Sequence, residues 1–148
     1  MDDKETRDKI IAEAIERDKL QKQGTKGEEL YAPNDQAAYT GWVKLMYPNG
    51  QIMILGQIKD GKQDGLSTDW YESGQKRQES NWKDGLKDGP VTKWYRNGQK
   101  QKETNYKDGR KDGLETVWYE NGQKKTKGYW KEGKLISEKD KSKSKEEV

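Results

Sequence analysis

Trp94-Tyr95-Arg96-Asn97-Gly98-Gln99 is the stretch that decides the fold, because it recurs at a fixed spacing. Near copies begin at Trp70 and Trp118 and a weaker copy begins at Met46, so the motif returns every 24 residues. A constant period in this range is the sequence signature of a repeat architecture, in which each unit packs only on its neighbours.

The composition is that of a thin repeated structure rather than of a single compact core. Of the 148 residues, 39% are charged and 28% are hydrophobic, yet 6 Trp and 8 Tyr are too many for a disordered chain. The net charge is +3 with both signs spread along the sequence, which is a weak attraction for nucleic acid or anionic lipid. We therefore expect no nucleic-acid partner and at most weak, peripheral membrane contact.

The residue types argue against catalysis and against a resident metal. His and Cys are absent, which removes imidazole bases, thiolate nucleophiles and thiolate metal ligands. Acidic pairs such as Asp84 and Asp88 lie in turns, where Lys62, Lys87 and Lys111 would oppose a calcium ion. We interpret these acids as turn residues and expect no enzymatic activity, no catalytic residue, no metal and no cofactor.

Residues 1–24 are predicted to form an N-terminal α-helix. Ala, Glu, Lys, Gln and Arg dominate this segment, and neither Gly nor Pro interrupts it before Gly24. Asp2 or Asp3 would cap the start of the helix, and Gly24 would cap its end.

The N-terminal region is predicted to cap the repeat array. Ile11 and Ile15 form a short apolar stripe, which favours docking of the helix on the first repeat over a dimerising or partner-binding role. Residues 25–40 follow as a linker and a degenerate capping half-repeat, in which Pro33 and Asn34-Asp35 mark a turn.

Residues 41–136 are predicted to contain four 24-residue units, which begin at Gly41, Gly65, Gly89 and Gly113. In each unit one strand ends in the aromatic pair and is followed by Asn-Gly or Ser-Gly. A second strand ends in one large apolar residue and is followed by Asp-Gly or Glu-Gly; these residues are Ile58, Trp82, Tyr106 and Trp130. The fold class is therefore mainly β: an elongated, twisted, antiparallel meander of tandem hairpin repeats with an N-terminal helix.

The turns predict a register for the hairpins. A two-residue turn at Ser73-Gly74 would place Trp82 opposite Gly65 and Trp70 opposite Arg77. An aromatic ring laid over a glycine fills the space that the missing side chain leaves. The last unit is expected to repeat this pairing between Gly113 and Trp130.

The aromatic residues are predicted to form columns across the sheet. Equivalent residues of neighbouring units lie two strands apart, about 9.6 Å, so their rings cannot touch. We expect Trp70, Trp94 and Trp118 to alternate in one column with residues such as Trp82 and Tyr106. The adjacent tyrosines point to the opposite face, toward solvent or a partner.

The first unit and the C-terminal segment differ from this pattern. Ile52-Met53-Ile54-Leu55 and Ile58 are apolar on both strand faces, so we expect burial on both sides, with Ile11 and Ile15 as the cover. Residues 137–148 consist of Lys, Ser, Asp and Glu with a terminal Val, and they are predicted to be a disordered charged tail.

The units share Gly-x4-Trp-Tyr-x-Asn-Gly-Gln, followed by an aromatic residue and Lys-Asp-Gly-x-x-Asp-Gly. This pattern resembles the MORN-variant repeat over roughly residues 39–136, although Met46 replaces Trp and Ser73 replaces Asn. Such arrays occur in bacterial proteins identified as YwqK-type antitoxins of toxin–antitoxin systems. The resemblance implies a MORN-type scaffold without catalysis, which binds and neutralises a protein partner or serves in an assembly.

Exposed aromatic residues are the first candidates for a partner surface, because Trp, Tyr and Arg dominate binding hot spots. The predicted partner-binding residues are Tyr71, Tyr95, Tyr119, Arg77 and Arg96. The alternative is an aromatic-rich module that binds a cell-surface glycan, a choline-type ligand or an anionic lipid.

The sequence also suggests a location. No apolar run approaches the ~20 residues of a membrane span, and the first residues contain no apolar segment of the signal type. We expect a cytoplasmic protein, and an exported form whose signal has been removed stays open as the alternative.

Overall fold

The computed structural model describes residues 3–23, 29–32 and 37–140 of the chain. One helix, α1, spans Lys4–Glu13, and Arg17–Lys19 form a 3₁₀ turn. The short strands are β1 (Ile15–Glu16), β2 (Gln21–Gln23) and β3 (Glu29–Tyr31). The long strands are β4 (Gly41–Met46), β5 (Ile52–Lys59), β6 (Lys62–Trp70), β7 (Lys76–Lys83), β8 (Leu86–Trp94), β9 (Lys100–Lys107), β10 (Arg110–Trp118), β11 (Lys124–Lys131) and β12 (Lys134–Asp140).

The long strands form one antiparallel sheet in sequence order, and β1 adds to its first edge in parallel with β4. Strands β2 and β3 form a separate two-stranded hairpin. Every connection from β4 to β12 is a hairpin, so each strand from β5 to β11 pairs with the strand that precedes it and the strand that follows it. The predicted fold class, a mainly β meander of tandem hairpins with an N-terminal helix, is confirmed.

The turns after the Trp-Tyr pairs are longer than the two residues predicted. The Tyr71 N–H donates to the Gln75 carbonyl at 2.8 Å, and the Gly74 N–H donates to the Tyr71 carbonyl at 2.9 Å, with Gly74 at φ +88°. This is a three-residue loop with glycine in the left-handed region, which adds a bulge to the strand. Trp70 consequently pairs with Lys76, and the predicted pairing of Trp70 with Arg77 is wrong.

The turns after the second strands are two-residue hairpin turns. Asp84 at φ +47° and Gly85 at φ +81° connect the paired residues Lys83 and Leu86. Positive φ at both central residues is the geometry that matches strand twist, and Asp-Gly supplies it at low cost. The same backbone recurs in the other units at Asp60, Asp108 and Glu132.

The predicted pairing of glycine with an aromatic residue is confirmed. Gly65 lies opposite Trp82, and Gly113 lies opposite Trp130. Both pairings survive the longer loop, because the bulge next to the Trp-Tyr pair compensates for the extra loop residue and restores the predicted register along the rest of the hairpin.

The space beside these glycines is filled by a different residue from the one predicted. A Cβ placed on Gly89 would lie 3.4 Å from the Cβ of Asn81, which belongs to the neighbouring strand on the other side. Asn81 also donates from Nδ2 to the Pro90 carbonyl at 2.9 Å. The amide side chain therefore bridges a break in the β7–β8 ladder, and the aromatic residue opposite the glycine does not fill the gap.

The N-terminal helix ends at Glu13, ten residues before the predicted end. Its start is as predicted, because the Asp3 carboxylate accepts from the N–H groups of Glu5 and Thr6 at 3.2 Å. Its end is not Gly24, which lies outside the described residues, but the extended Ala14. Beyond Ala14 the chain crosses the sheet edge as β1, where it pairs with β4, and this crossing is incompatible with a continuous helix.

The first unit is buried on both faces, by two different elements. On one side, which we call the helix face, Ala14, Leu55 and Trp70 are buried, with Ile10, Ile11, Trp42 and Ile52 packed against them. On the other side, the hairpin face, Leu20, Leu30, Val43 and Ile58 are buried, with Ile15, Ala32 and Tyr39 packed against them. The predicted cover by Ile11 is confirmed, whereas Ile15 lies in β1 and covers the opposite face.

The C-terminal end is more ordered than predicted. Residues 137–140 belong to β12, which pairs with β11 through contacts such as Ser137 with Tyr129, and residues 141–148 lie outside the described residues. The turn predicted at Pro33 and Asn34-Asp35 also lies outside them. The other domain boundaries stay predictions.

Candidate functional site

The aromatic residues form two columns on opposite faces of the sheet rather than one mixed column. Trp70 packs on the helix face, near the Asn-Gly ends of the hairpins, and Ile58 packs on the hairpin face, near the Asp-Gly ends. The repeat places Trp94 and Trp118 with Trp70, and it places Trp82, Tyr106 and Trp130 with Ile58. The predicted alternation is therefore wrong, because Trp82 pairs with Gly65, at the far end of β6 from Trp70.

Lysine side chains fill the space between aromatic rings within each column. These lysines belong to the intervening strand, and their aliphatic stems bring the ammonium group over a ring, a geometry that adds cation–π attraction. On the helix face, Nζ lies 5.9 Å from the ring centroid for Lys76 on Trp94 and 5.8 Å for Lys100 on Trp118. On the hairpin face, the distances are 5.6 Å for Lys87 on Trp82, 5.2 Å for Lys87 on Tyr106 and 4.1 Å for Lys111 on Trp130.

The tyrosines of the Trp-Tyr pairs connect neighbouring repeats. The hydroxyl of Tyr71 donates to the Trp94 carbonyl at 2.8 Å, and Tyr95 donates to the Trp118 carbonyl at the same distance. Both tyrosines are half-buried, whereas Tyr119 is 38% exposed. Tyr119 is therefore the most exposed of the three predicted partner-binding tyrosines, and a role of all three in binding stays a prediction.

The two predicted arginines lie in different environments. The guanidinium carbon of Arg96 lies 4.7 Å from the Tyr71 ring centroid, so the repeat brings these two candidates together. Arg77 instead pairs with Asp69 at 3.4 Å. Burial raises the pKa of the Asp69 carboxyl, and the opposing effect of the Arg77 charge does not cancel that rise.

The Asp-Gly-x-x-Asp-Gly pattern is explained by a contact between turns. The Asp64 carboxylate accepts a hydrogen bond of 3.2 Å from the Asp84 N–H, in the turn of the next unit, and Asp112 accepts one of 3.2 Å from the Glu132 N–H. This bond holds the pKa of Asp112 below its ordinary value. At the first turn the Thr40 hydroxyl accepts the equivalent hydrogen bond from the Asp60 N–H. This role of Thr40 was not predicted from the sequence.

A charged cluster on the hairpin face escaped prediction because it depends on strand register. The Glu115 carboxylate forms ion pairs with Lys111 at 2.8 Å and Lys102 at 3.1 Å, and it accepts a hydrogen bond of 2.8 Å from the Thr104 hydroxyl. Burial raises the pKa of Glu115, but the hydrogen bonds from Lys111, Thr104 and Lys102 outweigh burial and leave the pKa below its ordinary value.

The helix face changes character along the array. Trp70 is 3% exposed beneath α1, whereas the equivalent Trp94 and Trp118 are only half-buried. A ten-residue helix is about 15 Å long and spans about three strands, so α1 ends before the later units. Within the described residues nothing replaces it there. We call this region the open helix face and define it by Trp94, Lys100, Glu103, Trp118 and Lys124.

Ion pairs border the indole rings of this surface. Lys76 pairs with Glu79 at 2.6 Å, and one unit later Lys100 pairs with Glu103 at 2.7 Å. The open helix face therefore combines half-buried indoles with a periodic pattern of both charges, a composition suited to a protein partner.

Two further features, a metal site and a membrane-spanning helix, are missing from the described parts of the chain. No group of three acidic, His or Cys side chains there could hold a metal ion. No helix in the same residues is long and apolar enough to cross a membrane.

Comparison with known proteins agrees with the hairpin geometry. The family model for the MORN repeat variant matches residues 63–84, 87–108 and 111–132. These ranges coincide with the hairpins β6–β7, β8–β9 and β10–β11. A search of curated proteins found no match. The three consecutive matches show that residues 63–132 are an array of MORN-variant repeats, which supports a MORN-variant repeat protein.

Proposed function

We propose that this chain is a non-enzymatic repeat scaffold that binds a protein partner on its open helix face. The observation that carries the proposal is the contrast between Trp70, which α1 buries, and the half-buried Trp94 and Trp118, over which the described residues place no helix; α1 approaches Trp94 only through Arg7. Half-buried indoles that line up beside a covered one are a common feature of interaction sites.

The structure of the first unit suggests what the partner resembles. Helix α1 covers the face by packing Ile10 and Ile11 on Leu55 and Trp70. An amphipathic helix of another protein could pack in the same way on Trp94 and Trp118, since it satisfies its own backbone and needs only an apolar stripe. Its charged flanks would pair with Lys100 and Glu103.

The finer proposal is that the partner is a toxin and that this chain is its antitoxin. The support is the resemblance of the repeats to YwqK-type antitoxins, together with a surface suited to direct binding. The test is co-expression: a partner that arrests growth alone should be neutralised by the wild-type chain and not by a Trp118→Ala variant that stays folded by circular dichroism.

Site-specific photo-crosslinking in cells that naturally produce the chain tests the scaffold proposal. A photoreactive residue is placed at Lys124, on the open helix face, or at Lys93, an exposed position on the hairpin face. We expect one protein to be crosslinked in high yield from position 124 and not from 93. Equal crosslinking from both positions, or only lipid or glycan adducts, would contradict the proposal.

The rival hypothesis of a glycan or choline cage fits the geometry less well. A cage needs free ring faces, and lysine ammonium groups of the same chain already lie over Trp82, Tyr106 and Trp94. Saturable quenching of tryptophan fluorescence by choline would favour that hypothesis over ours.

A further inference from the structure

A groove lies on the hairpin face of the first unit, away from the open helix face. It has a volume of about 530 Å³ and lies between the 3₁₀ turn and the Asp-Gly turns of the first two units. This volume is within the range of roughly 300–1,000 Å³ that is typical of small-molecule sites. The β2–β3 hairpin covers only part of this apolar face, which leaves the groove accessible.

Small residues make the floor of the groove, and apolar residues make its walls. Gly56 pairs with Ser67 across the β5–β6 ladder, so no large side chain rises between them. Leu45 and Ile54 line the groove and are half-buried, and Leu86 lines it with 50% of its surface exposed. In a chain this polar, three accessible aliphatic residues around one groove indicate an apolar ligand.

Two cations border the groove without an ion-pair partner among the described residues. Arg17 and Lys62 both line it, and neither forms an ion pair with a described residue. The ammonium of Lys44, by contrast, donates to the Ile11 carbonyl at 2.9 Å. Asp84 supplies one acidic group, so the lining has a net positive charge.

The backbone around the groove disfavours a bound peptide strand. Strands β5 and β6 are interior to the sheet, and β4 pairs with β5 on one side and with β1 at Val43 and Lys44 on the other, so most of their N–H and C=O groups are used in the ladders. A peptide laid across the groove would lose water from its own backbone groups without gaining partners, which is costly. An alkyl chain carries no such groups.

We propose that this groove binds a single-chain amphipathic anion of the alkyl carboxylate class. The chain would lie on Leu45, Ile54 and Leu86, and the carboxylate would pair with Arg17 and Lys62. This binding activity is additional to the scaffold function and does not depend on it.

Calorimetric titration of the full chain with dodecanoate, below its micelle concentration, tests the proposal. The site variant is Arg17→Gln/Lys62→Gln. The matched control is Arg110→Gln/Lys134→Gln, which removes two cations at the positions equivalent to Lys62 in later units. Dodecyltrimethylammonium is the ligand control, because it carries a dodecyl chain like that of dodecanoate but a positively charged head group.

We expect one saturable site for dodecanoate, weakened about tenfold in the site variant and less than about twofold in the control, with no site for dodecyltrimethylammonium. Leu86→Asp, at an exposed position, should weaken dodecanoate to a similar extent. Absence of saturable binding, equal losses in both double variants, or equal affinity for the cationic amphiphile would overturn the proposal. So would binding of acetyl-Leu-Glu-Leu-Leu-amide at this groove in place of dodecanoate.

Discussion

The hydroxyl of Tyr71 donates a 2.8 Å hydrogen bond to the backbone carbonyl of Trp94, which lies one repeat further along the chain. Tyr47 makes the same bond to Trp70, and Tyr95 makes it to Trp118. In the first three units the motif tyrosine is therefore bound to the next unit, so it couples neighbouring repeats.

Removing one of these hydroxyl groups should weaken the array. Tyr95→Phe keeps the ring and deletes the bond to Trp118, so we expect a loss of about 0.5–1.5 kcal/mol in the free energy of unfolding, measured in urea. Tyr119→Phe is the matched control, because the equivalent acceptor would be the carbonyl of residue 142, which lies outside the described residues. An equal loss in both variants would show that the bond between repeats is not the cause.

Replacing a motif Trp with Ala should destabilise the protein more where α1 covers the ring than where it does not. Trp70 lies in the buried cluster with Leu55 and Ala14, and Trp118 is half-buried. Trp70→Ala should cost about 3–5 kcal/mol of unfolding free energy, and Trp118→Ala clearly less. Equilibrium unfolding followed by circular dichroism compares the two, and equal costs would mean that α1 adds no stability at this point.

Replacing glycine with alanine should destabilise the sheet more at Gly89 than at Gly56, because only Gly89 has a positive φ. Gly89 has φ +105°, and a Cβ there would lie 3.4 Å from the Cβ of Asn81, so Gly89→Ala should cost about 1–3 kcal/mol. Gly56 has no positive φ, and its added Cβ would meet the Ser67 hydroxyl at 3.3 Å. Gly56→Ala should therefore change the thermal midpoint less; the reverse order would refute the role assigned to positive φ.

Lowering the pH should have opposite effects on the stability contributed by two carboxyl groups of the hairpin face, Glu115 and Asp69. The pKa of Glu115 is lowered, so its stabilisation is present above the unfolded-state pKa and is lost as the pH falls through the folded-state value. The pKa of Asp69 is raised, so its contribution is present in acid and is lost as the pH rises through its folded-state value.

The corresponding variants should change the pH profile of stability in opposite directions. Between pH 7 and pH 3, Glu115→Gln should lose less stability than the wild type, and Asp69→Asn should lose more. Urea titrations at a series of pH values measure both slopes. Parallel profiles for the two variants and the wild type would contradict the charge environments described above.

The sequence predicted the features that repeat and missed those that depend on turn length. The two-residue turn predicted at Ser73-Gly74 is wrong, because only Gly74 is in the left-handed region there; a two-residue turn forms instead at Asp84-Gly85, where both φ angles are positive. Both dipeptides suit a tight hairpin, and the sequence does not show which one adds a bulge. The pairing of Gly65 with Trp82 was predictable because it lies beyond the bulge, where the predicted strand register holds.

The candidate surface was less predictable than the fold. Period and alternation located the aromatic residues, but they did not show that Lys87, on the intervening strand β8, lies between Trp82 and Tyr106, because that depends on the exact strand register. They also gave no reason for α1 to end at Glu13, because the segment contains no helix-breaking residue there. The helix ends because the next residues are needed on the far side of the sheet.

Both apolar clusters lie at the start of the array, and the bonds from Tyr47, Tyr71 and Tyr95 all point toward the following unit. During synthesis on a ribosome, the best-packed part of the molecule therefore emerges first. Each later hairpin meets an edge strand and a tyrosine that are already in place. We expect the order of translation to be the order of folding, with every completed unit serving as the template for the one that leaves the exit tunnel next.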